Sequence, residues 1–317
     1  MILDNLSSAK TVAIAGHIRP DGDCMGSTLG LYHYLREIWP EKEISVYLEE
    51  VPDNLKLLPG WEVIQNTIPM NPVVDGFICL DCSDLKRLGF AAPLFQNAGM
   101  TLCIDHHVSN DNFADFNMVR PDASSTCEVL CSLVDFNRLP HDAAVCFYTG
   151  IVHDTGVFKH SNTSKATMET AGRLIEFGIN TSEIIDRSFY SKTYIQNQIL
   201  GRCLLESFLA LQGKVIISVL AKEVTDFYHA RTQDLDGIID QLRVTEGVET
   251  ALFVYELNPG EYKVSMRSNS IVDVAKIAVM FGGGGHIHAA GFEYTGDYHD
   301  ILNNLLIQID SQLEKMN

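Results

Sequence analysis

The first third of the chain repeats one pattern, in which a short apolar run ends in polar or acidic residues and a turn-rich or helical segment follows. The runs are TVAIAGH (11–17), ISVYLEE (44–50), GFICLDCSD (76–84) and TLCIDHH (101–107). Such continuous apolar runs are typical of strands in a parallel sheet. We therefore predict an N-terminal α/β domain whose ligands bind beyond the carboxyl ends of the strands.

Helical spacing follows the first strand and dominates the middle of the chain. The loop RPDGDCMGS (19–27) leads into GLYHYLREIW (30–39), which predicts a helix that ends before Pro40. Mainly helical spacing returns between residues 121 and 189, and 192–210 predicts one long helix.

A second, smaller α/β segment follows that helix. Three apolar runs predict strands, a fourth segment predicts a helix and a last run predicts a final strand: KVIISVL, ETALFVYEL, YKVSMRS, IVDVAKIAVMF and AAGFEY. We predict a catalytic domain over 1–190, a helical linker over 191–213 and a smaller α/β domain over 214–317, with a cleft shared between the domains.

The charge of the chain limits its partners. The 317 residues carry a formal net charge of -18, which argues against a basic surface that grips long duplex nucleic acid. The N-terminal segment has no apolar signal region and no run reaches 18 uncharged apolar residues, so we expect a soluble cytoplasmic protein without membrane partners. The pair Cys79 and Cys82 has no second C-x-x-C to complete a zinc site, and we expect reduced thiols.

Acidic residues and histidines cluster where strands end. His17, Asp21 and Asp23 share one short loop, which by itself could equally be an acidic turn with a capping Asp. Asp81 follows the third run with Asp84 close behind, and a single strand-end Asp is more often a cap.

Two further clusters complete the set. Asp105, His106 and His107 follow the fourth run directly, and adjacent histidines beside an acid rarely serve packing alone. Asp154 lies where a helix gives way to a turn, and its neighbour His153 is the rival candidate. Because parallel strands end at one sheet edge, these residues should converge there.

The types of ligand predict the metal. Imidazole with several carboxylates suits Mn²⁺ better than calcium or structural zinc. Six candidate ligands exceed the needs of one catalytic ion, so we predict two divalent ions about 4 Å apart, bridged by Asp81, that activate water for attack on phosphorus.

A glycine-rich segment in the second domain carries the last candidates. Phe281 to His286 reads F-G-G-G-G-H, whose amides could bind a phosphate, although a flexible connection between helix and strand is the alternative. It lacks the Gly-Lys-Ser/Thr of a Walker A loop. Arg267, near the end of a predicted strand, could pair with a phosphate or could be a solvated surface arginine.

These motifs, in this order, resemble the DHH phosphoesterase superfamily, and G-G-G-H-x-x-A-A-G (283–291) resembles its DHHA1 subfamily. The resemblance implies that one manganese is held by His17, Asp21 and Asp81. It assigns the other manganese to Asp23, Asp81, His106 and Asp154. His107 would face the scissile phosphate and Asp105 would orient a ligand. The rest of the nucleotide would be bound by Arg267, Gly283, Gly284, Gly285 and His286.

Within this superfamily, the length of the chain resembles that of the branch of bifunctional oligoribonucleases and pAp phosphatases. This resemblance implies cleavage of short RNAs and dinucleotides to mononucleotides and removal of the 3′-phosphate of pAp, with the second domain closing over the nucleotide. A homodimer is compatible with it. The alternatives are an exopolyphosphatase, a cyclic or linear dinucleotide phosphodiesterase, and a regulator that binds nucleotides without turnover.

Overall fold

A computed structural model describes residues 2–70 and 73–314. The chain divides between Ser191 and Lys192 into two compact units. Each unit is built on its own six-stranded sheet. The α/β class predicted for both parts is confirmed.

The sheet of the N-terminal unit is parallel throughout. Its strands lie in the order β3-β2-β1-β4-β5-β6. Their bounds are β1 Thr11–Ala15, β2 Glu43–Tyr47, β3 Ile64–Gln65, β4 Gly76–Leu80, β5 Thr101–Asp105 and β6 Phe116–Val119. The four predicted strands are present, and the two that the apolar pattern missed are the short edge strands β3 and β6.

Over residues 2–70 and 73–191, six α-helices accompany this sheet. They are α1 Gly22–Ile38, α2 Ala92–Gln96, α3 Thr126–Cys131, α4 His141–Asp154, α5 Lys165–Ile175 and α6 Thr181–Ile184, and a π-helix over Ile185–Tyr190 continues α6. Helix α1 begins eight residues before the predicted start, because the Asp21 side chain accepts hydrogen bonds from the backbone amides of Asp23 and Cys24.

Helices α1 and α4 pack at very close range. A Cβ on Gly26 would lie 2.5 Å from the Cys146 carbonyl oxygen, and a Cβ on Gly30 would collide with the Phe147 ring. Glycine at these two positions therefore permits the backbones to approach. This close packing holds α1, which follows β1, against α4, which carries Asp154.

The C-terminal unit has a mixed sheet in the order β11-β12-β10-β9-β8-β7, in which only the β8–β9 pair is parallel. Its strands are β7 Phe208–Ala210, β8 Val215–Leu220, β9 Thr250–Asn258, β10 Glu261–Ser268, β11 Gly284–His286 and β12 Ala289–Thr295. Its helices are α7 Tyr194–Leu205, α8 Lys222–Phe227, α9 Ile238–Arg243, α10 Val274–Met280 and α11 Tyr298–Glu314.

Two segments of this unit differ from the prediction. The helix expected over 192–210 ends at Leu205, because Phe208–Ala210 pairs with β8 as an edge strand. The glycine-rich connection is partly a strand, since Gly284–His286 pairs with β12. In both cases backbone pairing with a distant strand outweighs the local pattern.

Within residues 2–70 and 73–314, no helix combines the length and the apolar character needed to cross a membrane. All eight cysteines are free and buried.

Candidate metal centre

His17 lies just beyond the end of β1 with one ring nitrogen committed to the backbone. Its Nδ1 lies 2.8 Å from the Ile18 carbonyl oxygen and must donate to it. Nε2 therefore faces the carboxylates of Asp81, at 3.3 Å, and Asp21, at 3.6 Å. Burial lowers the pKa of His17, but its hydrogen bonds with Asp21 and Asp81 outweigh burial and raise the pKa to about 11.

Asp81, the first residue after β4, is the hub of the cluster. It pairs with His17 and, at 3.6 Å in each case, with His106 and His107. The Thr126 hydroxyl donates to the same carboxylate at 3.1 Å. Its backbone has a φ of +57°, which is uncommon for a residue with a side chain and costs of the order of 1 kcal/mol. Four partners hold this side chain in a strained backbone position.

Asp23 is fully buried in the first turn of α1. Its carboxylate accepts hydrogen bonds from the backbone amides of Thr126, at 2.7 Å, and Cys127, at 3.0 Å. Asp154, at the end of α4, lies 3.1 Å from Nε2 of His106. Ligand atoms of Asp23, His106 and Asp154 all lie within 4.8 Å of one another.

His107 is oriented by Asp105. Nδ1 of His107 donates to the buried Asp105 carboxylate at 2.8 Å, and Asn110 donates to the other carboxylate oxygen at 2.7 Å. Burial raises the pKa of Asp105, but the bonds from His107 and Asn110 outweigh it and lower that pKa. The bond to Asp105 raises the pKa of His107, so the ring can keep a proton on Nε2 as well.

The buried acids of this cluster repel one another. The pKa of Asp23 is raised by burial and by the charges of Asp81 and Asp154. Burial also raises the pKa of Asp81, and the charges of Asp21 and Asp154 add to it. The opposite holds for Asp21, because its bond to His17 outweighs burial and lowers its pKa to about 2. This excess of buried negative charge favours a cation.

The second cluster of candidates lies on the sheet of the C-terminal unit. Arg267 on β10 and His286 on β11 are each in register with Ala289 of β12, so they lie on one face of the sheet. The Arg267 guanidinium donates to the Met266 carbonyl oxygen at 3.1 Å and lies 3.8 Å from Asp240. His286 is exposed.

The glycines beside His286 permit tight pairing of β11 and β12. A Cβ on Gly283 would collide with the carbonyl oxygen of Gly291. Gly285 has a φ of +148°, and a Cβ there would collide with the carbonyl oxygen of Ala289. Gly284 has open space around it.

Family models match both units. The DHH family, N-terminal domain, matches residues 11–151, and the DHHA1 domain matches residues 212–315. The chain belongs to the DHH/DHHA1 phosphoesterase family. It is therefore a hydrolase, as the sequence motifs predicted.

Several curated relatives of this DHH phosphoesterase share most of their length with it. The bifunctional oligoribonuclease and PAP phosphatase NrnA of Thermus thermophilus is 29% identical over 90% of this chain and 84% of the relative. The protein of the same name from Bacillus subtilis is 25% identical over 94% of each chain. A solved exopolyphosphatase-related protein from Bacteroides fragilis superposes with a TM-score of 0.84, at 24% identity, over 98% of this chain and 96% of that one. The solved structure supports the fold alone.

DHH phosphoesterases generally use divalent metals, and the residues present here fit such ions. Among the described residues, three groups have ligand atoms that all lie within 4.8 Å of one another: His17, Cys24 and Asp81; Asp81, His106 and His107; and Asp23, His106 and Asp154. Asp81 and His106 each belong to two of these groups. Carboxylate with imidazole is a donor set suited to intermediate divalent ions, and such ions would offset the burial and the repulsion that raise the pKa of Asp23 and Asp81.

Sequence reasoning missed three residues at this DHH centre. Thr126 binds Asp81, Asn110 binds Asp105, and Cys24 lies beside His17. The rival candidate His153 packs so closely on Gly22 that a Cβ there would collide with its ring, and its Nε2 lies 3.0 Å from the Ser188 hydroxyl. The one local signal near Thr126 is Ser125, a serine before a helical run, which caps α3.

Proposed function

We propose that the protein is a manganese-dependent phosphoesterase that hydrolyses short oligoribonucleotides to nucleoside monophosphates and removes the 3′-phosphate of pAp. The observation that carries the proposal is the convergence of the His17, His106 and His107 side chains on the buried Asp81 carboxylate at the ends of β1, β4 and β5. The names of the curated relatives support the choice of substrates.

The proposal keeps the two positions for divalent ions that the resemblance implies. We assign one ion to His17, Asp21 and Asp81, and the other to Asp23, Asp81, His106 and Asp154. Bound ions of this kind neutralise the charge of a phosphoryl group and lower the pKa of water, which provides a nucleophile at neutral pH. The protein contributes fixed ligand positions: amides at the start of α3 hold Asp23, and Thr126 holds Asp81.

His107 serves the phosphoryl group directly in this proposal. Because Asp105 accepts a hydrogen bond from Nδ1, Nε2 is free for the substrate. A proton on Nε2 would be donated to a phosphoryl oxygen as negative charge develops there. Asp105 acts through His107 and is a positioning residue.

The C-terminal cluster would bind the nucleotide. The Arg267 guanidinium is one-third exposed, and its nearby Asp240 carboxylate lies at 3.8 Å, a separation that leaves N–H groups free for a phosphate. His286 and the backbone at Gly284 and Gly285 would provide further contacts on the same part of the sheet. The Gly283 amide already donates to the Ala278 carbonyl oxygen at 2.9 Å, so that residue would serve by permitting the close pairing of the strands. Phe281 and Phe292 stack on each other, with 4.9 Å between ring centroids, which favours a packing role over base stacking.

The proposal is tested by product analysis. Purified protein with Mn²⁺ is incubated separately with pAp, a dinucleotide, a five-nucleotide RNA and polyphosphate, and the products are separated by chromatography. We expect AMP from pAp and mononucleotides from both RNAs. Cleavage of polyphosphate alone would assign an exopolyphosphatase, and binding of pAp without turnover would assign a nucleotide-binding regulator.

A further inference from the structure

A buried thiol lies against the metal centre and has no role in the proposed mechanism. Cys24, in the first turn of α1, is fully buried. Its Sγ and ligand atoms of His17 and Asp81 lie within 4.8 Å of one another. Manganese has little affinity for a thiol, whereas softer divalent ions select thiolate ligands.

The thiol packs against a glycine and makes one weak hydrogen bond. Gly16 lies beside it, and a Cβ at that position would collide with Cys24 Sγ. The hydrogen bond of the thiol is a long contact of 3.9 Å with the His17 carbonyl oxygen. Rotation of the thiol toward a metal ion would therefore break one weak interaction.

The three ligand types match a zinc-class ion. Zinc binds thiolate at about 2.3 Å, imidazole at about 2.0–2.1 Å and carboxylate at about 2.0–2.2 Å in tetrahedral geometry. Such bonds place neighbouring ligand atoms about 3.5 Å apart. The ligand atoms of His17, Cys24 and Asp81 lie at most 4.8 Å apart. Side-chain movements of about 1 Å would bring them to the spacing of a zinc site.

We propose that Cys24 is a thiolate ligand that allows the His17–Asp81 position to bind thiophilic divalent ions, such as zinc, in competition with manganese. The inference rests on the metal centre of the proposed function. On binding, the S–H bond of Cys24 is replaced by a bond from Sγ to the metal, and the proton passes to solvent. The ratio of zinc to manganese would then determine which ion occupies this position.

A second thiol near the centre provides the alternative. Cys127 Sγ lies 3.8 Å from the backbone carbonyl oxygen of Asp23. Within the described residues, Cys127 belongs to none of the three ligand groups. We therefore assign the thiolate to Cys24.

Cobalt is the probe, because Co²⁺ binds like zinc and a thiolate ligand gives it a charge-transfer band in the near ultraviolet. Metal-free full-length protein is titrated with Co²⁺, and the wild-type spectrum should show this band. Cys24→Ala and the isosteric Cys24→Ser should abolish the band and weaken Co²⁺ binding about tenfold or more, with a much smaller change in Mn²⁺ affinity. Cys146→Ala, which removes a buried thiol on α4 that contacts Pro59, should retain the band.

The outcomes separate this inference from the proposed function. Co²⁺ binding without the band in wild-type protein would overturn the role of Cys24 and leave the metal centre intact. A band that survives Cys24→Ser, or one that Cys127→Ala abolishes, would also overturn it. Failure of both Co²⁺ and Mn²⁺ to bind would refute the metal centre itself, together with the role of Cys24.

Discussion

The two units shift the pKa values of their buried acids in opposite directions. In the C-terminal unit, Glu249 accepts hydrogen bonds from the amides of Ser270, Ile271 and Val272. Burial raises its pKa, but the bonds to Ile271 and Val272 outweigh burial and lower it. In the N-terminal unit, burial and neighbouring carboxylates raise the pKa of Asp23 and Asp81.

The difference teaches how to distinguish a structural acid from a ligand. Three backbone amides compensate the negative charge of Glu249, so this carboxylate needs no bound ion. Asp81 and Asp23 also accept hydrogen bonds, but they lie close to other carboxylates, and their charge is incompletely compensated. A buried acid with a raised pKa among other acids and histidines indicates a metal site.

Replacement of Asp81 should have the largest effect. Asp81→Asn keeps the size of the side chain and suits a positive φ, but it removes the charge shared by both ion positions. We expect kcat to fall about a thousandfold or more, measured on pAp with Mn²⁺. The metal-free variant should be no less stable to urea than metal-free wild-type protein, because the buried carboxylate is unfavourable without a cation.

Asp84→Asn is the matched control for that change. Asp84 follows the same strand but accepts hydrogen bonds from the amides of Lys86 and Arg87, which asparagine can also do. Its kcat should stay within about twofold of wild type. If Asp81→Asn kept the wild-type kcat, Asp81 would not be a ligand of the metal centre.

Replacement of His107 should separate proton donation from metal binding. His107→Asn removes the group held by Asp105 and should lower kcat about a hundredfold. Mn²⁺ affinity, measured by calorimetry, should change little, and the exposed His141→Asn serves as control. A loss of Mn²⁺ affinity as large as that of Asp81→Asn would instead make His107 a metal ligand.

Glu249→Gln should reduce stability by about 2 kcal/mol at pH 7, because three amides lose a charged acceptor. The pKa of Glu249 is lower in the folded than in the unfolded protein, so its contribution is present above the unfolded value. It is lost as the pH falls through the folded value. The stability difference between wild type and Glu249→Gln in urea should therefore shrink below about pH 4.

The exposed Glu246→Gln should show no such pH-dependent difference. A Glu249→Gln difference that is constant from pH 7 to pH 3.5 would contradict the charged role of Glu249.

Arg267→Met should have the smallest effect. Loss of a phosphate contact on an exposed face should raise KM about tenfold with little change in kcat. Lys263→Met, on the same strand but paired with Glu293, is the control. An unchanged KM for pAp would exclude Arg267 from substrate binding.

The sequence predicted the parts of the fold that depend on long apolar runs. Strands β1, β4 and β5 are uninterrupted and buried, so both their existence and the position of the polar residues after them were readable. The two-residue β3 is too short to carry a pattern. The early start of α1 was missed because Asp21 and glycine read as a turn, although the Asp21 side chain caps the helix.

Contacts between segments that lie far apart in the chain could not be predicted from the sequence. Thr126 lies 45 residues from Asp81, and nothing local indicates their hydrogen bond. The pairing of β11 with β12 depends on the absence of side chains from Gly283 and Gly285, which a flexible connection would explain equally well. Nothing local marked Cys24, because its neighbours His17 and Asp81 follow different strands.

The central claim is that the N-terminal cluster holds two divalent ions through Asp81, and the direct test is the number of Mn²⁺ ions bound by metal-free protein at neutral pH. We predict two ions per chain for wild type, with proton release on binding because His17 and His106 have raised pKa values of about 11 and about 10. Asp81→Asn should bind at most one ion, and weakly. Wild-type protein that binds no Mn²⁺, or an Asp81→Asn variant that still binds two ions tightly, would contradict the account.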